Sequence, residues 1–187
     1  QFIHDKLCAE PGKGLRRSWR DGEAKVRAFA IDYACLIHGL IELHQATLDL
    51  HWLTWAESLQ AEMDVQYGDA EHGGYFSVHT DMPNSIMRIK EDYDGAEPSP
   101  NSLAALNLVR LGGLTANSRY TDAAQKLLKL FHQTLTESTS SVPVMAMAFD
   151  FLERGKQQIV LAGDRTTDDF KSLLHMVQSK FLPYALI

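Results

Sequence analysis

Two kinds of helical pattern alternate along this chain. Over 31–46 apolar side chains fall on nearly every face: Ile31, Tyr33, Ala34, Leu36, Ile37, Leu40, Ile41 and Leu43 leave little room for a polar stripe. That is the mark of a helix buried on several sides. Residues 103–114 and 142–152 repeat it. Between them lie one-sided stripes, first Trp52, Trp55, Ala56, Leu59 and Met63, then Tyr120, Ala123, Leu127, Phe131 and Leu135. These follow the i, i+3, i+4, i+7 spacing of a helix with one face inward. The pattern predicts buried helices near 31–46, 100–114 and 142–153 packed inside amphipathic helices near 51–66 and 119–136. Two such layers are the architecture of an α/α toroid or solenoid.

The alternation is also an internal repeat with an offset of 68. Leu40, Leu43, Thr47, Ala56 and Leu59 fall on Leu108, Leu111, Thr115, Ala124 and Leu127, and Trp52 falls on Tyr120. Each copy reads as helix, short polar turn, helix. The turns are Thr47-Leu48-Asp49-Leu50 and Thr115-Ala116-Asn117-Ser118, with Asp49 and Ser118 as expected N-caps.

Two segments leave the helical period. Gly73-Gly74-Tyr75-Phe76-Ser77-Val78-His79-Thr80 and Ser85-Ile86-Met87-Arg88-Ile89-Lys90 alternate like strands across Asp81-Met82-Pro83-Asn84. They predict a β-hairpin at about 74–90, inserted between helical units. Near the end, 158–163 reads as a short buried strand, 166–180 as a capped helix and 183–187 as the start of another strand. The expected organisation is therefore mainly α: helices with the hairpin over 1–155, then the start of a small α/β annex over 156–187.

Composition narrows the partners. With 187 residues, 45% of them hydrophobic, the chain is long enough for one well-cored domain. Eighteen Lys and Arg stand against 24 Asp and Glu, for a net charge of −6. Mild acidity argues against nucleic acid or an anionic membrane as partner, and no apolar run reaches the length of a membrane span. Cys8 and Cys35 show no pairing or metal motif, which favours a reducing compartment and an unreactive Cys35 on its buried helix. No cofactor motif occurs, and no two histidines share the spacing that a metal demands.

The candidate chemistry lies in Arg88-Ile89-Lys90-Glu91-Asp92-Tyr93-Asp94-Gly95-Ala96-Glu97-Pro98-Ser99-Pro100-Asn101-Ser102. Four acids, Glu91, Asp92, Asp94 and Glu97, run into a strong helix start, with Ser99 as N-cap and Pro100 in the first turn. Asp32-Tyr33 opens the first buried helix much as Asn101-Ser102 opens the next, and Tyr33 and Asn101 align in the repeat. On one reading these groups line one mouth. Asp32, Glu91, Asp92 and Asp94 then act as acid and base on a sugar-like substrate, with Tyr33, Tyr75, Tyr93, Glu97 and Asn101 binding it. On the other they only satisfy helix-end donors.

The combined residues resemble the C-terminal half of the spermatogenesis-associated protein 20 family, whose bacterial members are called thioredoxin-domain-containing proteins. The resemblance rests on Asp32-Tyr33-Ala34, Trp52-Leu53-Thr54-Trp55-Ala56, Gly73-Gly74-Tyr75-Phe76, the run from Lys90 to Ser99, Asn101-Ser102 and Gln158-Ile159-Val160-Leu161-Ala162-Gly163-Asp164. His72 and Pro100 depart from the family's usual small residues. The resemblance implies a long protein with a thioredoxin-like domain followed by an (α/α)6 toroid, similar to six-hairpin glycosidases. This chain would carry only later toroid helices, with the rest of its own polypeptide as partner. It leaves two functions to separate: a scaffold or ligand-binding module for the thioredoxin-like domain, and a carbohydrate-active toroid using paired carboxylates.

Overall fold

The computed structural model describes residues 1–8, 14–82, 87–154 and 157–187. It is mainly helical, with α1 (Ala30–Thr47), α2 (Leu50–Tyr67), α3 (Pro100–Thr115), α4 (Ser118–Leu130), α5 (His132–Glu137), α6 (Pro143–Arg154) and α7 (Asp168–Gln178). Two small sheets flank them: an antiparallel ribbon of β1 (Trp19–Arg20) and β2 (Glu23–Ala24), and a parallel pair of β3 (Gln157–Gln158) and β4 (Ala185–Leu186).

The 68-residue repeat is a structural repeat down to its turns. Leu48 and Ala116 both adopt the left-handed conformation, at φ 57° and 55°. Thr47 and Thr115 each donate a hydroxyl to the carbonyl four residues back, at 2.7 Å in both copies. Asp49 caps α2 through His51 N at 2.9 Å, and Asn117, rather than the expected Ser118, caps α4 through Arg119 N at 3.1 Å. The cap falls on Asn117 because it is Asn117 that stands one residue past the left-handed turn, where Asp49 stands in the first copy. A non-glycine left-handed residue costs on the order of 1 kcal/mol, which the cap and the threonine bond offset.

α3 is the hub. Every residue from Pro100 to Gly113 is buried, and the helix packs against α1, α4 and α6. The all-round apolar pattern means what it predicts here. It does not for α1 and α6, which bury one side: Tyr33, Ala34, Ile37, Leu40 and Ile41 on α1, and Met145, Ala148 and Phe151 on α6. Met147 and Phe149 of α6 and Leu43 of α1 are exposed instead. Cys35 is exposed as well, contrary to its expected burial. α2 and α4 are one-sided, burying Leu53, Ala56, Leu59 and Met63, and Ala124, Leu127 and Leu128. The expected stripe residues Trp52, Trp55, Tyr120 and Ala123 are only partly buried against the core, and the helix expected over 119–136 breaks at Phe131 into α4 and α5.

Among the described residues, the segments expected to form a hairpin at 74–90 lie beside one another without forming a ladder of paired strands. Ser77 N donates to Ile89 O at 2.8 Å, but neighbouring backbone donors go elsewhere. Phe76 N goes to Tyr67 O, and Tyr75 N goes to the Asn101 side chain. Ser77 O is taken by Ala30 N at the start of α1. Each bond made to a helix end is one fewer for a sister strand. The expected turn at 81–84 lies partly outside the described residues.

The tail has the anticipated β–α–β order, but its first strand is the exposed pair Gln157–Gln158 rather than a buried strand over 158–163. β3 pairs in parallel with β4, and α7 is capped by Thr167. Beyond Ile159 the backbone leaves the pairing, and Val160, expected inside a buried strand, is 85% exposed. The annex docks on the ends of α1 and α3. Arg165 Nη1 donates to Leu48 O at 2.8 Å, Gln178 Nε2 to Ala46 O at 2.9 Å, and Gln158 Nε2 to Gly113 O.

Two clasps hold the long α2–α3 connection. Asn101, wholly buried, accepts from Tyr75 N at 2.8 Å and donates to Tyr75 O at 2.9 Å and Glu91 O at 2.8 Å. Lys90 Nζ bridges Asp69 Oδ2 at 2.8 Å and Gly73 O at 2.6 Å, while Asp69 Oδ1 accepts from Glu71 N and His72 N. Removing all three Asn101 bonds orphans buried backbone groups, so Asn101→Ala is expected to lower unfolding stability by about 2–4 kcal/mol, read from urea denaturation midpoints at unchanged slope.

The Lys90 ammonium and the two backbone donors hold the Asp69 carboxyl well below the usual carboxylate range. Because its folded pKa lies below the unfolded value, its stabilisation is present at neutral pH and is lost as pH falls below about 4. Asp69→Asn is therefore expected to be less stable than the parent at neutral pH, with the gap closing in acid. A gap that stays constant from neutral to acid would show that the charge is irrelevant.

Candidate functional site

The structure gathers part of the acidic loop around the start of α3, with both Asp94 oxygens and one Asp92 oxygen occupied. Asp94 Oδ1 accepts from Ser99 N at 2.8 Å, just ahead of α3, and Oδ2 accepts from Val144 N at 2.9 Å, in the first turn of α6. One carboxylate thus ties two helix N-termini together, where negative charge is favoured. Asp92 is half-buried, with Oδ2 accepting from Thr134 Oγ1 at 2.9 Å. Glu91, Glu97 and Tyr93 are exposed. Asn101 is taken up by its clasp.

The aromatic groups expected to bind a ligand divide in the same way. Tyr75 is buried, its hydroxyl donating to Asp64 Oδ1 at 2.7 Å and accepting from Gln60 Nε2 at 3.0 Å; burial, with Asp64 beside it, raises its pKa well above the ordinary value. Tyr33 is also buried, accepting from Leu15 N at 2.8 Å and donating to Glu62 at 3.1 Å, and burial pushes its phenol up to about 12. Both rings face the core rather than an opening. Asp32 receives Phe29 N at 2.7 Å, capping its own helix, with Arg17 3.6 Å away.

A different set of polar side chains lines an open groove of about 840 Å3. α1, α3 and α6 form its walls, and Phe181, Leu182, Pro183 and Tyr184 of the annex close one side. Arg110 Nη1 lies 2.5 Å from Glu42 Oε1 and 3.5 Å from His38 Nδ1. His38 Nδ1 also lies 3.1 Å from Asn107 Oδ1, and the Asn107 amide is oriented by its 2.8 Å bond to Ala34 O. That orientation makes Nδ1–H the donor and leaves the Nε2 lone pair toward Glu42, 3.8 Å away. Burial, and then the Arg110 charge, hold the His38 pKa below its ordinary value, so the ring is neutral at physiological pH. On the facing wall Asp150 pairs with Arg154 at 2.5 Å and accepts from the Tyr184 hydroxyl.

The sequence carried a signal for this cluster. Asn107 and Arg110 are the strongly polar residues inside the apolar run 103–114, and a charge there must find a partner. Glu42 and Arg110 also occupy equivalent places in the repeat, 68 residues apart. The reading centred on helix starts overlooked both. Among the described residues no group of three or more His, Cys, Asp or Glu is arranged to hold a metal ion, and no helix is long and apolar enough to cross a membrane.

Cys35 sits at the groove's edge. Although its position is exposed, partial burial of the thiol, followed by the charges of Glu97 and Asp32, raises its pKa. The thiolate is the reactive form. Alkylation of native Cys35 by iodoacetamide at neutral pH is therefore expected to be slower than in the unfolded chain, and to accelerate as pH rises past the ordinary thiol range. Faster reaction in the native state would contradict this.

No family model matches the chain. It is 36% identical over 156 residues to human spermatogenesis-associated protein 20, covering 83% of this chain and 20% of that protein. The rat protein of the same name is 38% identical over 159 residues, with the same coverages. An uncharacterised Caenorhabditis elegans protein is 32% identical over 169 residues, 90% of this chain and 23% of its own length. The chain thus spans about a fifth of the relatives it matches. Over that shared stretch it belongs to the spermatogenesis-associated protein 20 family.

Proposed function

We propose that the chain is a sector of an α/α toroid that works as a scaffold and ligand-binding module within a longer polypeptide. Its partner is the remainder of that polypeptide, including a thioredoxin-like domain that carries any redox chemistry. The observation that supports this reading most directly is the double cap made by Asp94. A carboxylate whose two oxygens each accept a backbone N–H is already committed as an acceptor, which suits joining α3 to α6 better than moving a proton. Asn101, Asp32, Tyr33 and Tyr75 are similarly engaged, so the helix starts act as joints.

The alternative is a carbohydrate-active toroid, epimerase- or glycosidase-like, in which Asp32, Glu91, Asp92 and Asp94 act as paired acids and bases on a sugar. Glu91 is exposed and Asp92 keeps Oδ1 free of a partner among the described residues. Those two are the carboxylates that favour it.

Asp94→Asn in the full-length protein separates the two readings. Losing one charge-assisted acceptor is expected to cost about 1.5–3 kcal/mol, seen as a lowered Tm, while any activity of the folded fraction persists. An unchanged Tm with abolished turnover of a sugar substrate would make Asp94 catalytic and overturn the scaffold reading.

A further inference from the structure

The groove between α1, α3 and α6 holds an ion pair of unequal partners. The Arg110 side chain is 8% exposed and that of Glu42 is 55% exposed. Glu42 makes its nearest approach to Arg110 at Nη1, and among the described residues Nε and Nη2 of Arg110 make no hydrogen bond. A guanidinium presents a planar fork that a carboxylate fills with two parallel hydrogen bonds. Here that pair of bonds is not made. The buried cation requires a counter-charge, whereas the half-exposed Glu42 loses little by turning to water.

The surroundings restrict what fits beside that fork. The neighbouring groove wall is apolar, built from Leu103, Leu106, Met147, Phe151 and Leu182. The other polar groups at the floor are committed: the Asn107 amide to Ala34 O and His38, and the His38 Nδ1–H to Asn107. Gln45, Asp150, Lys180 and Tyr184 also line the groove, with Asp150 already paired to Arg154 and Tyr184. A polyol lying along Leu103, Leu106, Met147 and Phe151 would still set most of its hydroxyls against hydrocarbon. A neutral apolar molecule would leave the fork as it is.

We propose that Arg110 anchors the carboxylate of a small organic acid with an apolar body, and that Glu42 is the internal occupant which that carboxylate displaces. The ligand's head completes the guanidinium fork while its body lies along Leu103, Leu106, Met147 and Phe151. Glu42 then faces solvent and sets an electrostatic threshold: molecules without an anionic head do not compete for Arg110. This deepens the ligand-binding part of the proposed function and rests on it.

Isothermal titration of the full-length protein with phenylacetate, phenylacetamide and glucose tests the assignment. Phenylacetate is expected to bind, with the amide weaker by about tenfold or more, the worth of a charge-assisted hydrogen bond. Glu42→Gln removes the competing carboxylate and is expected to tighten phenylacetate binding. Arg110→Lys keeps the charge without the fork and is expected to weaken it by about tenfold, with circular dichroism reporting the fold. Equal affinity for acid and amide, indifference to Arg110→Lys in a folded variant, or no phenylacetate binding by either the parent or Glu42→Gln overturns the proposal. Glucose binding in place of phenylacetate overturns the ligand class and leaves the module reading standing. Silence toward all three probes ends this inference, while the scaffold reading is still decided separately by Asp94→Asn.

Discussion

A helix buried on every side has no solvent to satisfy its polar groups, and that constraint on α3 organises the molecule. Its polar side chains must each find a partner on another element. Asn101 reaches back to Tyr75 and Glu91, Asn107 reaches Ala34 and His38 of α1, and Arg110 reaches Glu42 of α1. Ser102 lies 3.4 Å from Asp92 O. These contacts set the register of α1 and of the long connection against α3, while the apolar remainder of the helix supplies non-directional burial. Hydrophobic packing brings the layers together; the buried polar groups determine how they align.

The same constraint explains why the acidic stretch before α3 acts as a joint. A buried helix start presents backbone N–H groups that need acceptors. Ser99 takes Ser102 N at 3.1 Å, and Asp94 takes Ser99 N together with the start of α6. The starts of α3 and α6 therefore share one carboxylate. Glu91 and Glu97 of the loop stay exposed, while on the groove wall Arg110 and Glu42 face one another at matched places of the repeat.

The annex contributes by closing rather than by extending the repeat. β3 and β4 are held to the ends of α1 and α3 by side chains that reach unpaired helix carbonyls, namely Arg165, Gln178 and Gln158. Helix C-termini leave such carbonyls open. Satisfying them places 181–185 along the rim of the groove. A short α/β unit with little core of its own is thus ordered by the helices it caps.

The sequence by itself determined what depends on local chemistry. The two helix hairpins, their 68-residue spacing, the Asp49 cap and the β–α–β order of the tail follow from patterns a few residues long, whereas the left-handed turns and the Asn117 cap became legible only in the structure. Family membership was legible for the same reason, in short runs such as Asp32-Tyr33-Ala34 and Lys90 to Ser99. Tertiary structure decided which apolar helix is surrounded. α1, α3 and α6 read alike, yet α3 alone is covered on all faces, because covering depends on how many neighbours an element has and not on its own residues. It also decided that the strand-like stretch near 74–90 gives its hydrogen bonds to helix ends. Finally, it decided which charges are functional candidates. Asp94 and Arg110 are both charged residues beside apolar runs, but one has both oxygens filled by backbone donors and the other has guanidinium donors without a hydrogen bond among the described residues. Only the positions of their partners, distant in sequence, tell them apart.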